Sequence, residues 1–332
     1  MRWIFRRTLF LIFTFWAAVT INFFVVRLMP GSPMDVMITE LLSMGYSYEE
    51  AVSRVALMIN FVPTAPIHEQ YIDFVKGVFT GNLGYSIRLA SPVTIVLGYG
   101  IPWTVFSTGI SLIIGFVSGI LLGMYIAYHR GSIADKVLSL YSSVSRSIPQ
   151  YIIGFFIVMV FAIQLGWFPA QGSSGRYVIP PKTISQISLE YVLSVLQHAV
   201  LPVLCYVITT LGGWILGMKS SAISVLGEYY VTAAEARGLS DERIVTTYVG
   251  RNAVLPLFTE FAISLGAMFN GVIFIERVFL YPGIGMYFAN SIAQRDYPLM
   301  SGCFLIIIAA TLIANFLADL LHSRLDPRIK FE

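Results

Sequence analysis

Five stretches of this chain contain no Asp, Glu, Lys or Arg: residues 8–26, 89–129, 147–175, 191–218 and 297–318. A sixth, 252–275, contains a single charge, Glu260. The hydrocarbon core of a bilayer takes about 20 consecutive apolar residues per helix, and inside it each backbone N–H and C=O must be satisfied within the protein. Runs of this length therefore predict helices that cross a membrane. We place them at 8–26, roughly 102–128, 147–175 with a start slightly earlier, 191–218, 252–275 and 297–318. The expected fold class is an all-α polytopic membrane protein with six transmembrane helices. Composition agrees: 57% of the residues are hydrophobic and 12% charged, against about 25% charged in an average soluble domain. A cytosolic enzyme, a disordered chain and a nucleic-acid binder are excluded together.

The first run follows the basic segment Met1–Arg7 and superficially resembles a secretory signal. Its 19 residues exceed the usual 7–15 of a signal core, and Arg27-Leu28-Met29-Pro30 carries no small-residue cleavage pattern. It reads as a retained helix. Orientation follows from Lys and Arg in the short connections. One face holds Arg2, Arg6 and Arg7; Arg130, Lys136 and Arg146; Lys219, Arg237, Arg243 and Arg251; and Arg324, Arg328 and Lys330. The opposite face holds only Arg176 with Lys182 and Arg277 with Arg295 in its short connections. Both termini are expected to be cytoplasmic. Three regions follow: a tail and first helix at 1–29, an external loop at 30–100, and a five-helix core at 101–332 with a cytoplasmic loop at 219–255. Cys205 and Cys303 lie in apolar runs and read as small hydrophobes. His68, His129, His198 and His322 lack metal-ligand spacing, so no metal site is expected.

In the external loop, Tyr48–Ile59 and Ile67–Phe79 have helical apolar spacing, interrupted by Pro63, Pro66 and Gly81. They predict short amphipathic helices. The cytoplasmic loop concentrates six charges in the sixteen positions 228–243. Thr232-Ala233-Ala234-Glu235-Ala236-Arg237 is strongly helix-forming, and Gly238 supplies a left-handed stop. Ser240 is placed to cap a second helix, with Asp241 and Glu242 in its positive first turn. That helix would run through Ile244–Asn252, and Pro256 opens the next span. A plain solvated connection and a rigid knob for a partner's groove are both compatible with this pattern.

These residues carry a resemblance. Ala233-Ala234-Glu235-Ala236-Arg237-Gly238-Leu239-Ser240, followed by Arg251-Asn252-Ala253-Val254-Leu255-Pro256, resembles the EAA loop of binding-protein-dependent ABC importer permeases, in its dipeptide/oligopeptide form. Thr232 stands where that loop has its Glu. Leu28-Met29-Pro30-Gly31-Ser32-Pro33 is similar to the family's Leu-Pro-Gly-Asp-Pro stretch, with Ser32 for Asp. Gly81-Asn82-Leu83-Gly84-Tyr85-Ser86 resembles Gly-Asp-Leu-Gly-x-Ser, with Asn82 for Asp. Ile275-Glu276-Arg277-Val278-Phe279 with Tyr281-Pro282-Gly283-Ile284-Gly285 resembles Glu-x-Val-Phe-x-x-Pro-Gly-x-Gly, and Arg295-Asp296-Tyr297-Pro298 is similar to Arg-Asp-Tyr-Pro. The likeness spans nearly the whole chain, in order.

The resemblance implies the type I ABC importer permease fold and a plasma-membrane (prokaryotic cell membrane) location. It implies a second homologous permease, two cytoplasmic ATPase subunits and an external solute-binding protein as partners, all around a lipid bilayer. The chain carries no G-x-x-x-x-G-K-[ST] loop, so ATP and Mg belong to the partner ATPases and no cofactor is expected here. The implied ATPase-coupling residues are Thr232, Ala233, Ala234, Glu235, Ala236, Arg237, Gly238, Leu239 and Ser240. Intramembrane polar groups are candidates for a translocation path, namely Glu260, Asn270 and Glu276; an interhelical pair or an interfacial position would also explain Glu260, a local salt link with Arg277 would explain Glu276, and interhelical hydrogen bonding would explain Asn270. Gln164 and Asn315 are further polar positions open to both readings. Glycines at 115, 119 and 123 form a small-residue ridge that admits close helix approach, with Gly109 one further turn-pair back. H-E-x-x-H and G-x-S-x-G are both absent, which leaves no protease pattern. The family carries peptides, oligosaccharides and nickel, and a proton-coupled secondary transporter using Glu260 is the rival of another class.

Overall fold

The computed structural model describes residues 2–28, 33–59, 65–86, 88–175, 186–271 and 273–325. Four of its helices are long and apolar enough to cross a membrane unbroken. These lie in α1 (Arg2–Leu28), α5 (Val93–Tyr128), α8 (Leu189–Leu226) and α15 (Tyr297–Leu325). Two further candidates are bent. α6 (Ile133–Ser147) meets α7 (Gln150–Ile157), which continues as a π-helical stretch to Gln164, at 105°. The segment Asp241–Ala253 meets α12 (Leu255–Gly271) at 45°. Among the described residues the chain thus has four to six candidate apolar spans, where the sequence predicts six. The third is broken at Pro149, which cannot continue the preceding helix. α5 begins at Val93 rather than near 102, because Pro102 is accommodated inside the helix. A regional boundary at 100/101 therefore falls within a helix.

Outside the spans, α2 (Pro33–Ser43), α3 (Tyr48–Ile59) and α4 (Ile67–Thr80) occupy the loop after α1. The sequence expects the last two, within one residue of their observed ends. Gly81 closes α4 in the left-handed conformation at φ 76°. Leaving that helix, β1 (Tyr85–Ser86) pairs antiparallel with β2 (Ser91–Pro92), Tyr85 opposite Pro92.

The largest apolar core joins α5, α7 and α8 to the region 231–279, through Leu112, Phe116, Leu201, Trp214 and Phe279. A second joins α5 to α14 (Ile284–Gln294) and α15. A third seats α2 and α3 on the start of α15. At the other end of the molecule, Arg7 of α1 forms an ion pair with Asp319 of α15. Met29–Ser32 of the first motif, and Arg176 and Lys182, lie outside the described residues.

Candidate functional site

The Ala-rich segment folds as α9 (Tyr229–Ala236). Gly238 then turns with φ 71°, the left-handed geometry the sequence expects there. After the turn come α10 (Asp241–Arg243), a π-helical stretch Ile244–Gly250 and α11 (Arg251–Ala253). The second helix is thus present but under-wound over seven residues. Ser240 holds the expected extended N-cap backbone, yet its hydroxyl makes no cap bond.

The two sides of α9 differ sharply. Val231 and Ala234 are buried against Ile244, Val249 and Ala253. Thr232, Ala233, Glu235, Ala236, Arg237, Gly238 and Ser240 are exposed, and Leu239 is half-buried. Ala234 therefore faces the protein rather than a partner, and it fits there because its small side chain lets α9 lie close to the stretch 244–253. Among the described residues neither Glu235 nor Arg237 forms an ion pair, so both charges are available at the surface. The result is a braced knob with a small-residue outer face.

Glu260 projects from α12 beside Gly217 of α8; a Cβ there would stand 3.9 Å from its Oε2. It opens into a cavity of about 390 Å³ that also holds Arg146, Tyr206, Thr209, Thr210 and Ser264. Sequence reasoning counts Arg146 among the basic residues of a cytoplasmic connection. In the structure it stands exposed near the end of α6, which packs along α8. Lys219 Nζ contacts Asp135 Oδ1 at 2.5 Å, Tyr141 donates to the Ile208 carbonyl at 2.6 Å, and Cys205 Sγ donates to the Gln150 carbonyl at 3.6 Å. From residue 219 to residue 205 is about 21 Å along the helix axis. Arg146 and Glu260, both exposed, line the same open cavity. The amphipathic character of α6, with Ser142 and Ser145 on its inner face, is the one sequence signal of this course.

Glu276 behaves differently. It lies in α13 (Ile273–Val278) and is 1% exposed. Its Oε1 accepts from Thr104 at 2.6 Å and its Oε2 from the Met286 backbone at 3.1 Å. Thr104 Oγ1 in turn accepts from the Ile284 N–H at 2.9 Å. A side chain at Gly283 would collide with the carboxylate. The Glu276 and Pro-Gly-Ile-Gly parts of one motif are thus a clasp that fixes the turn between α13 and α14 onto α5. It does not place Glu276 in the Glu260 cavity, where the sequence offers both as path residues. Asn270 lies on α12, but its side chain is outside the described ones.

Two other motifs meet across 210 positions. Ser86 donates to Asp296 Oδ2, and the Leu299 N–H donates to Oδ1 at 3.3 Å. Burial raises the Asp296 carboxyl above the usual carboxylate range, and these two hydrogen bonds only partly oppose that. Nearby, Arg88 pairs with Glu40 at 2.9 Å, tying the hairpin to α2.

Apolar helices arranged around a polar cavity, with a braced knob on a charged loop, define a multi-pass membrane permease rather than a soluble domain. Residues 119–331 match the family described as binding-protein-dependent transport system inner membrane component. The chain belongs to that family and is a permease component of the inner membrane. It is 30% identical to the Di/tripeptide transport system permease protein DppB of Pseudomonas aeruginosa, over 98% of each chain. It is 27% identical to the Oligopeptide transport system permease protein AppB of Bacillus subtilis, over 99% of each. The Dipeptide transport system permease protein DppB of Escherichia coli is 26% identical, again over 99% of each.

Proposed function

We propose that this chain forms half of the translocation path of a peptide importer, and that separate ATPase subunits drive it through α9 and the Gly238 turn. The observation that carries the reading is the asymmetry of α9. Val231 and Ala234 anchor it to the region that feeds α12, while Thr232, Ala233, Ala236 and Arg237 face outward. A push on that face moves a packed unit into the 45° bend before α12, a rigid-body route of the alternating-access kind.

The same reading takes each bent pair as one span, giving six, with both termini cytoplasmic. The Arg7–Asp319 pair supports it by holding the beginning of α1 near the end of α15, and the basic residues of the connections favour the same side. The second permease, the external binding protein, and ATP with Mg on the ATPases come from family membership. Peptides are the cargo because the relatives are named for di-, tri- and oligopeptide transport; none of these names points to oligosaccharides or nickel. Catalysis lies with the partner ATPases and not with this chain.

Gly238→Val tests the coupling. A β-branched residue in the left-handed region costs about 1–2 kcal/mol, too little to unfold a core of this size but enough to re-aim the turn. In reconstituted transporter, peptide uptake is expected to fall while ATP hydrolysis persists without stimulation by loaded binding protein. Wild-type uptake together with wild-type stimulated hydrolysis in the variant would show that the turn is not the coupling point.

A further inference from the structure

We infer that Tyr206 is a gate, its side chain parting the open cavity of Glu260 from a second, enclosed polar chamber, and this rests on the reading of the chain as half of a translocation path.

The chamber lies between α5, α8 and the turn that joins α13 to α14. Ser107, Thr108, Ser111, Pro202, Tyr206 and Tyr281 wall it, and all six are buried. Its space is about 10 Å³, room for about one water. Three segments stack it on the open cavity in the same order. On α5 the chamber takes positions 107–111, and the open cavity begins at Leu112. On α8 Pro202 lines the chamber, whereas Thr209 through Gly217 line the open cavity. From α12 onward, Glu260, Ser264 and Ala267 belong to the open cavity and Ile275 and Glu276 to the chamber. The two spaces thus follow one another along one axis, with Pro202 about 6 Å beyond Tyr206 on α8. Tyr206 is the one residue that lines both. The far end of the chamber is closed by the Thr104–Glu276–Ile284 clasp and by Trp103, whose ring stands edge-on to Tyr281 at 5.7 Å.

The chamber is also chemically unfinished. Thr108 Oγ1 and Tyr281 Oη are buried and have no hydrogen-bond partner among the described residues. A buried hydroxyl left unpaired is costly, and a plain packing contact between helices would use apolar side chains here. These two hydroxyls gain partners once the chamber joins the open cavity and water or a polar solute enters. Tyr206 is free to let that happen. Only its backbone carbonyl is engaged, by Thr209 and Thr210 at 2.9 Å each, and its ring borders about 390 Å³ of open space. Pro202, one turn before it, removes a helix hydrogen bond and makes this part of α8 the place where the helix can yield.

Thiol accessibility in the purified permease–ATPase complex tests the gate. Thr108→Cys, which sacrifices no hydrogen bond, is placed in a Cys205→Ala background. The native Cys303, fully buried in the second core, reports general loosening, and Ser264→Cys marks the open cavity. Each protein is treated with methanethiosulfonate ethylammonium without nucleotide, and the modified positions are read by mass spectrometry. Position 264 should react fast and position 108 slowly. Tyr206→Ala should speed position 108 by about tenfold or more, as for a thiol that otherwise reacts only through local opening, and leave Cys303 unreactive. Tyr206→Phe keeps the ring and should behave as wild type. Fast reaction at position 108 with Tyr206 in place overturns the inference, as does an unchanged rate in Tyr206→Ala or a rise shared with Cys303. In proteoliposomes with loaded binding protein and ATP, position 108 should react faster than at rest in the protein that keeps Tyr206, and its modification should block further peptide uptake. Uptake that continues with position 108 unreactive or fully modified refutes the gate alone, whereas a wild-type complex that imports no peptide refutes the path reading with it.

Discussion

A Cβ at Gly123 would stand 2.6 Å from the Ile215 carbonyl oxygen and 2.7 Å from Met218 Cβ. Comfortable carbon contacts are about 3.5–4.0 Å, so Gly123→Ala forces α5 and α8 apart by roughly 1 Å along their shared seam. The nearest obstacle is backbone, which cannot rotate out of the way. Overpacking of this sort costs about 1–3 kcal/mol, and the gain in helix propensity from Gly to Ala offsets about 1. The expected net loss is about 2 kcal/mol at the tight end. The same ridge contains its own controls. At Gly115 a Cβ would lie 3.4 Å from Thr210 Oγ1, and at Gly109 nothing lies within 4 Å. Gly115→Ala should be close to neutral, and Gly109→Ala neutral or stabilising by up to about 1 kcal/mol. Between the 123 and 109 variants this is about 3 kcal/mol, over a hundredfold in the folding equilibrium. Unfolding of the purified protein in mixed micelles, followed by tryptophan fluorescence, reads the difference, since Trp214 packs at this seam. Equal stability of the three variants, or a larger loss at Gly109 than at Gly123, would refute close packing as the reason for the ridge.

The Glu276 clasp and the Asp296 contact are equally open to test. Thr104→Val removes the donor to Glu276 and the acceptor for Ile284 while keeping shape, and should destabilise by about 1–3 kcal/mol; an unfolding midpoint equal to wild type would show that the clasp contributes nothing. For Asp296 the sign follows from its raised carboxyl: the folded state binds the proton more readily than the unfolded chain, whose value is about 3.9. This contribution to stability is complete below about pH 4 and is lost as pH rises through the folded value. Asp296→Asn should therefore gain stability relative to wild type as pH is raised from 4 to 7, and parallel profiles would contradict the assigned burial effect.

Local features of this chain were legible in its sequence. The helices at 48–59 and 67–80 follow from apolar spacing and from breakers such as Gly81, and the left-handed turn at Gly238 follows from what precedes it. The small-residue ridge at 115–123 was recognisable as a packing surface, though not which helix it meets. Arg146 was not legible as a cavity residue. Its place beside Glu260 follows only from the packing of α6 along α8. Glu276 and Glu260 look alike in sequence, each an acid at or within the fifth apolar run. Thr104 makes the difference between them, and it stands 172 positions away.

From the sequence alone came the helical class, the apolar segments that demand a bilayer, and the charged loop that faces away from it. Those follow from local rules: a backbone in hydrocarbon must satisfy its own hydrogen bonds, and charge stays out of runs that enter it. Only the tertiary structure decided which charges are partnered. Packing placed Glu276 under Thr104 and the Pro-Gly turn, brought Asp296 to Ser86, and left Arg146 and Glu260 sharing a cavity without each other. Such pairings depend on contacts between segments far apart in the chain, and no periodicity or local charge count encodes them.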